Sequence, residues 1–181
     1  MSDLSFQQQA CTFSLEDGLI EYRSYLQMNN KKQLKDAPGS YVIRDHDVTH
    51  VIFGLDTSLE QESLLDSWLF SGASWKLKDL LAYGKLPELK ELNKYLGREV
   101  GYIRLIGMVI SLIPTKILIW KRARRMKKKW PFKSYEEYLK MRICDIRDEF
   151  GIKILLPEER KITNPVTVSY THLTLPTMRT V

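Results

Sequence analysis

The sequence contains little that would make it a disulfide-stabilised, secreted or sheet-rich protein. Its only two cysteines among 181 residues, Cys11 and Cys144, lie far apart without the spacing of a metal site, so we expect two reduced thiols. Residues 1–9 have neither the apolar run of a secretory signal nor the Arg-rich composition of a mitochondrial transit peptide. No segment alternates apolar and polar residues as a half-buried strand does. These absences favour a helical protein of a reducing, cytoplasmic-type compartment.

Histidine is also rare, with three residues in the whole chain. One of them, His172, lies in residues 168–177, a Thr-rich stretch without helical period that resembles the translation of a transposon-type sequencing adapter. We therefore exclude that stretch from the analysis of the fold. His46 and His50 are then the only histidines of the remaining chain.

Helical periodicity dominates what remains and predicts an all-α fold. Ser14 is the expected N-cap of the first helix, and Thr57 or Ser58 begins the third through a capping box with Glu60 or Gln61. In chain order, helices are predicted at 15–26, 41–53, 58–72, 75–82, 86–96, 100–113, 116–129 and 135–150, with Gly54 and Gly151 as helix stops and Pro114 as a break. The predicted organisation is an N-terminal arm over 1–13, one helical domain over 14–157 and an unstructured tail over 158–181.

The two histidines belong to a pattern that is typical of a metal site. His46 and His50 are four residues apart, which places both imidazoles on one helical face, and Asp47 lies close to the same arc. Glu62 follows near the start of the next helix, beyond a predicted turn, and can close the site across a helical hairpin. Two imidazoles and carboxylates suit zinc or a similar divalent ion. The alternative without a metal is that His46, Asp47 and Glu62 are surface charges and that His50 fills a gap in the core.

Two other metal-dependent classes fit less well. A metalloprotease of the H-E-x-x-H type needs a glutamate directly after its first histidine, and this chain has Asp47 there. The His-Asp phosphohydrolases use an additional upstream histidine, and residues 1–45 contain none.

The formal charge of +6 is concentrated in one segment. Seven of the 28 basic residues lie within 121–129, so the rest of the chain is nearly balanced, and we expect an anionic partner such as lipid headgroups. The preceding segment, 101–120, is apolar but contains Arg104, Pro114 and Lys116, which favours a buried or membrane-facing helix over a membrane span. A solvated helix face and nucleic-acid binding are the alternatives, the latter disfavoured because the cations are not interleaved with stacking aromatics. The predicted contacts with anionic lipid are Lys121, Arg122, Arg124, Arg125, Lys127, Lys128 and Lys129.

The spaced motif His46-Asp47-x-x-His50, eleven residues and Glu62 resembles the signature of the coenzyme Q biosynthesis protein 4 family. Shorter similarities occur in the same order along the chain, at 16–26, 51–58, 135–139 and 146–152. Two positions differ from the family pattern, since Gln61 stands where the family usually has glycine and Asp56 where many members have proline or a small residue.

The resemblance implies a helix bundle, orthogonal or antiparallel, with an apolar groove for a prenylated aromatic precursor of ubiquinone. It implies a divalent metal, zinc or another, held by His46, Asp47, His50 and Glu62. The implied activity is a metal-dependent carbon–carbon lyase that removes the ring carboxylate of a polyprenyl-hydroxybenzoate. The alternative is a non-catalytic, lipid-binding scaffold with a structural metal.

The same resemblance implies where the protein lies and what it binds. The protein would be a peripheral membrane protein, on the cytoplasmic face of a bacterial inner membrane or on the matrix side of a mitochondrial inner membrane. The expected partners are the membrane surface and other ubiquinone-biosynthesis proteins, with a homodimer left open and no nucleic acid.

Overall fold

A computed structural model describes residues 4–29, 42–74, 94 and 96–161, and this part of the chain is helical without a β-strand. The all-α prediction is therefore confirmed there. The α-helices are α1 (Leu15–Met28), α2 (Val42–Phe53), α3 (Leu59–Gly72), α4 (Tyr102–Ser111), α5 (Ile113–Ala123), α6 (Ile143–Phe150) and α7 (Pro157–Arg160). Short 3-10 turns lie at Ser5–Gln7 and Glu136–Tyr138, and Gly97–Gly101 is π-helical. Of the predicted helices, the one over 75–82 and most of the one over 86–96 fall outside the described residues.

The local signals at the ends of three helices work as predicted. Ser14 caps α1, because its Oγ accepts a hydrogen bond from the Asp17 backbone N–H at 3.1 Å. Gly54 and Gly151 follow the ends of α2 and α6 with φ angles of 67° and 72°. This left-handed conformation is readily available to glycine, so both helices end where a glycine permits the turn.

Two predicted helices are shorter in the structure. The predicted helix over 116–129 ends at Ala123, and the chain beyond it pairs with neighbouring elements: the Lys127 N–H donates to the Phe150 carbonyl and the Trp130 N–H to that of Gly72. The predicted helix over 135–150 is wrong in its first half. There the carbonyls of Leu139 and Met141 accept hydrogen bonds from the first N–H groups of α1, so they are not available for helical bonding.

The boundaries of the folded part differ from the predicted ones at both ends. Residues 4–13, expected as an arm, pack into the molecule, where Phe6 and Cys11 are buried. At the other end, α7 extends the fold to Arg160, which is also buried, so the predicted boundary at 157 lies too early. Both cysteines are free thiols, as expected.

Aromatic contacts fix the helices that matter for function. The rings of Phe53 on α2 and Trp68 on α3 are stacked, with centroids 4.8 Å apart and planes 12° from parallel. Such a pair contributes about 0.5–1.5 kcal/mol beyond its buried area. Trp130 is fully buried against Phe150, and α3 packs mainly on α5. The core therefore holds α2 and α3 side by side.

Helices α4 and α5 form a bent apolar pair. The bend follows from Pro114 in the first turn of α5, since proline has no N–H to donate to the preceding turn. Within the described residues no single helix has the length and apolar composition for crossing a membrane. The segments Gly97–Ser111 and Ile113–Ala123 have that length and apolar composition only when they are taken together, and they lie at an angle of 46° to each other.

Candidate metal centre

Helix α2 presents both histidines on one face, as their four-residue spacing predicts. Their ring centroids are 4.8 Å apart and their planes meet at 76°. The His50 side chain is fully buried, whereas 13% of the His46 side chain is exposed. The next turn of α2 anchors this face, because Val51, Ile52 and Phe53 are completely buried.

The surroundings of His50 determine which of its nitrogens can bind a metal. Its Nδ1 lies 3.1 Å from the backbone carbonyl oxygen of Leu55. A carbonyl can only accept, so Nδ1 carries the proton and Nε2 of the neutral ring carries the free lone pair. Tyr22 of α1 stacks on the same ring, with centroids 5.0 Å apart and planes 24° from parallel. A carbonyl and an aromatic ring thus fix both the tautomer and the orientation, as is usual for metal-binding histidines.

Glu62 on α3 completes the cluster. Its Oε1 lies 3.3 Å from Nε2 of His50, and its Oε2 lies 3.8 Å from Nε2 of His46. The ligand atoms of all three residues lie within 4.8 Å of one another. Tetrahedral coordination at ordinary zinc–ligand distances separates neighbouring ligand atoms by about 3.4 Å. The spacing therefore fits a small divalent ion with little adjustment of the side chains.

The buried nitrogen of His50 provides a further test of that fit. Its Nε2 is inaccessible to solvent, and apart from the Glu62 carboxylate at 3.3 Å no hydrogen-bond partner faces it among the described residues, which is unusual for a buried polar atom. Burial lowers the pKa of His46 to about 4, helped by the neighbouring His50. Burial also opposes a charge on His50, but Glu62 and Asp47 outweigh it and raise the pKa of that ring. Of the two rings, only that of His50 is therefore favoured to take up a second proton, and a divalent cation can replace that positive charge.

Asp47 does not join the three ligand atoms. It is buried on α2, and the cluster of possible ligand atoms consists of His46, His50 and Glu62. At about 100° per residue, Asp47 lies about 100° from His46 and about 60° from His50 around the axis, at the edge of the arc that the two imidazoles occupy. Its charge still acts on His50. The structure thus brings three of the four predicted ligands together and leaves Asp47 beside them.

The connection between α2 and α3 places Glu62 opposite the histidines. The predicted capping box of Ser58 with Gln61 does not form, since the side chain of Ser58 makes no capping hydrogen bond. Asp56 stabilises the turn before the helix instead, because its carboxylate accepts from the Ser58 N–H at 2.7 Å and from the Gln61 side-chain amide at 2.9 Å. The Gln61 side chain in turn accepts from the Asp56 N–H. The two residues that differ from the family pattern therefore bond to each other and hold the start of α3.

Two arginines that sequence analysis missed hold the end of α2. The guanidinium of Arg147 is buried and donates to the carbonyls of Ile52 and Val51, both at 2.9 Å, and of Phe6 and Gln8, both at 2.6 Å. Burial lowers its pKa to about 10, so it remains a cation at neutral pH. Arg160 donates to the carbonyl of Gly54 at 3.1 Å. Positive charge at a helix C-terminus is favourable, so the arginines stabilise the helix that carries the histidines.

A mostly apolar cavity of about 330 Å³ opens beside the cluster, between α3 and α4. Glu62 belongs to both the cluster and the cavity wall. Asp66, a second acidic residue of the wall, was also missed, although its four-residue distance from Glu62 was a usable signal. Partial burial raises the pKa of Asp66 to about 6, with a further contribution from Glu62, although the residue as a whole remains exposed. The other lining residues are Leu59, Ser63, Leu96, Tyr102, Leu105, Met108 and Val109.

The basic segment is only partly available to an anionic partner. Arg122 donates to the Ile154 carbonyl and to Glu159, Lys127 donates to the Asp148 carbonyl, and Lys128 pairs with Glu149. The other four predicted lipid contacts are exposed: Lys121, Arg124, Arg125 and Lys129. Arg124 lies over the ring of Trp120, 4.6 Å from its centroid. Trp120 belongs to an exposed apolar face of α4 and α5, formed by Tyr102, Ile103, Ile106, Val109, Ile110, Ile113, Ile117 and Trp120.

Neither the family models nor the curated proteins nor the solved structures give a match for this chain. The resemblance to the coenzyme Q biosynthesis protein 4 family therefore stays a prediction that rests on the spaced motif.

Proposed function

We propose that this chain binds a polyprenylated hydroxybenzoate at a membrane surface and, with a divalent metal, promotes removal of the ring carboxylate in ubiquinone biosynthesis. One observation carries the proposal: Glu62 belongs both to the metal-binding cluster and to the wall of the apolar cavity. A ligand with an anionic head and an apolar body would find a partner for each part at that junction.

The polar end is suited to catalysis because it offers three ligands. Structural zinc sites normally have four protein ligands, whereas catalytic sites have three and keep one position open. One ligand set of catalytic zinc sites is two histidines and one glutamate, and the cluster of His46, His50 and Glu62 matches it. About a third of the Glu62 side chain is exposed, and this residue lines the cavity. When bound there, a divalent ion would supply the positive charge that binds and polarises the substrate's carboxylate or phenolate.

The chain's own residues prepare that end for an anion. Nδ1 of His50 is fixed on the Leu55 carbonyl, so no ring rotation is needed before its Nε2 engages. Removal of a ring carboxylate as carbon dioxide leaves the bonding electron pair on the ring carbon, which then takes up a proton. Groups that are already oriented before charge develops stabilise such a transition state most effectively.

The apolar end continues to the molecular surface. Tyr102 and Val109 line the cavity and are also exposed, by 68% and 42%. They belong to the exposed apolar face of α4 and α5, which is larger than the isolated apolar residues usual on a soluble surface. An isoprenoid tail could therefore leave the cavity without crossing a polar rim, and the four exposed cations of the basic segment would meet anionic headgroups.

The test is a decarboxylation assay with a short-chain prenylated hydroxybenzoate in the presence of zinc or another divalent ion. Wild type should release carbon dioxide from the ring carboxylate, and His50→Ala should not, because the variant lacks one of three ligands. Asp148→Asn is the matched control, since Asp148 is exposed on α6, away from the cavity. Equal turnover by wild type and His50→Ala would contradict the metal-centred mechanism. Lipid binding by an inert wild type would favour the alternative, a scaffold with a structural metal.

A further inference from the structure

Asp66 lies one helical turn after Glu62 on α3, and both side chains line the same cavity. Residues four apart on a helix have their Cβ atoms about 5–6 Å from each other on one face. Two carboxylates therefore stand in a row on one wall, one of them at the metal-binding cluster and the other farther along the cavity.

The surroundings of the two carboxylates differ. Glu62 faces the imidazoles of His46 and His50. Asp66 makes no hydrogen bond or ion pair among the described residues, and the opposite charges that act on it are those of Lys116 on α5 and of His50. Apart from Glu62 and Ser63, the residues around it in the cavity are apolar or aromatic. The Asp66 carboxylate is exposed, so it is accessible to a hydroxyl donor of a ligand that displaces water from the cavity.

We infer that Asp66 is the specificity-determining residue of this cavity, where it accepts a hydrogen bond from a ring hydroxyl of the bound aromatic ligand. The inference rests on the proposed function and names the part of the substrate that this chain recognises. The Asp66 carboxylate would also orient the ligand. An anionic substituent next to Asp66 would be repelled, so it goes to the end with His46 and His50, and the hydroxyl goes to Asp66.

The spacing selects among hydroxyl positions. The one-turn separation of Glu62 and Asp66 is comparable to the span between substituents on opposite sides of a benzene ring. A hydroxyl opposite the carboxylate therefore reaches Asp66, whereas a hydroxyl next to the carboxylate does not. A methoxy group in the same place has no proton to donate, and it would displace water from Asp66 without replacing the hydrogen bond.

The experiment compares binding of a prenylated 4-hydroxybenzoate and its 4-methoxy analogue to the zinc-loaded full chain by calorimetry. Wild type should bind the hydroxy compound about tenfold more tightly or better, as a hydrogen bond to a charged group implies. Asp66→Ala should lose that preference, and Asp66→Asn, which keeps the shape, should retain only part of it. The zinc content of both variants should equal that of wild type. Asp148→Asn removes the same charge elsewhere and should behave as wild type.

The outcomes separate this inference from the proposed function. An undiminished hydroxy preference in Asp66→Ala would overturn the role of Asp66 and leave the proposed function standing. Loss of zinc from Asp66→Ala would also overturn it, since the residue would then act on the metal cluster. Failure of wild type to bind either compound would overturn the proposed function and this inference with it.

Discussion

The Nε2 atom of His50 lies 3.3 Å from Oε1 of Glu62, although the two residues belong to different helices. Their meeting depends on Gly54, which ends the first helix in a left-handed conformation, and on Asp56, which bonds to Ser58 and Gln61 at the start of the second. The Leu55 carbonyl between them sets the tautomer of His50. One short connection therefore determines both the distance and the protonation pattern of the candidate metal centre.

Asp47 should behave as a supporting residue and not as a ligand. Asp47→Asn is expected to weaken zinc binding by about 10–100-fold, the usual effect of losing a group that acts on a ligand. Glu62→Gln should weaken zinc binding more strongly, because it removes a ligand oxygen's charge from the cluster. Competition with a chromophoric chelator measures both affinities. Equal losses in the two variants would show that Asp47 coordinates the ion.

Arg147 should contribute strongly to stability. Arg147→Met leaves buried carbonyls at the end of α2 and in residues 6–8 without their donor, which should cost about 3 kcal/mol or more in the free energy of unfolding. Urea denaturation followed by circular dichroism measures it. Arg142→Ala is the control, since Arg142 pairs with Asp145 at the exposed surface and should matter little. Similar midpoints for both variants would contradict the structural role of Arg147.

Asp66 should make the stability of the metal-free protein depend on pH. Its pKa is about 6 in the fold and 3.8 ordinarily, so the native state holds the proton more tightly than the unfolded chain. Its ionisation therefore destabilises the fold progressively as the pH rises through this window. Asp66→Asn should be more stable than wild type above about pH 6 and equal to it near pH 4 or below. Urea midpoints with chelator present measure this, and a difference that did not vary with pH would refute it.

The exposed face of α4 and α5 should bind anionic membranes. Ile110→Asp is expected to reduce sedimentation with vesicles of phosphatidylcholine and phosphatidylglycerol, because it places a charge in the apolar face. Ile20→Asp is the matched control, since Ile20 on α1 is exposed by 57% and Ile110 by 58%. If both variants lose binding equally, or neither does, this face is not the contact.

The sequence predicted the parts of the site that depend on neighbouring residues. The spacing of His46 and His50 specifies a shared helical face, and Gly54 marks the turn that returns the chain toward Glu62. Asp47 was predicted as a ligand because it lies near the arc of the two histidines, about 60° from His50 around the helix, but the cluster of ligand atoms does not include it.

Long-range contacts account for what the sequence did not predict. Arg147 bonds to residues about 95 and 140 positions away, and no local pattern distinguishes a buried arginine from a surface one. The role inferred for Asp66 depends on the cavity that forms where α3 packs against α4, and no local sequence pattern shows that packing. The segment 116–129 has a good local propensity for helix. The helix nevertheless ends early, because the N–H groups of Lys127 and Trp130 donate to the distant carbonyls of Phe150 and Gly72.

The zinc content of the purified chain after dialysis, compared among wild type, His46→Ala, His50→Ala and Glu62→Gln, tests the metal centre most directly. Elemental mass spectrometry should find about one zinc ion per chain in wild type, and much less in each variant, as a three-ligand site requires. Circular dichroism on the same samples checks that the variants remain folded. Folded variants that keep as much metal as wild type, or a wild type that retains neither zinc nor another divalent ion, would contradict the account.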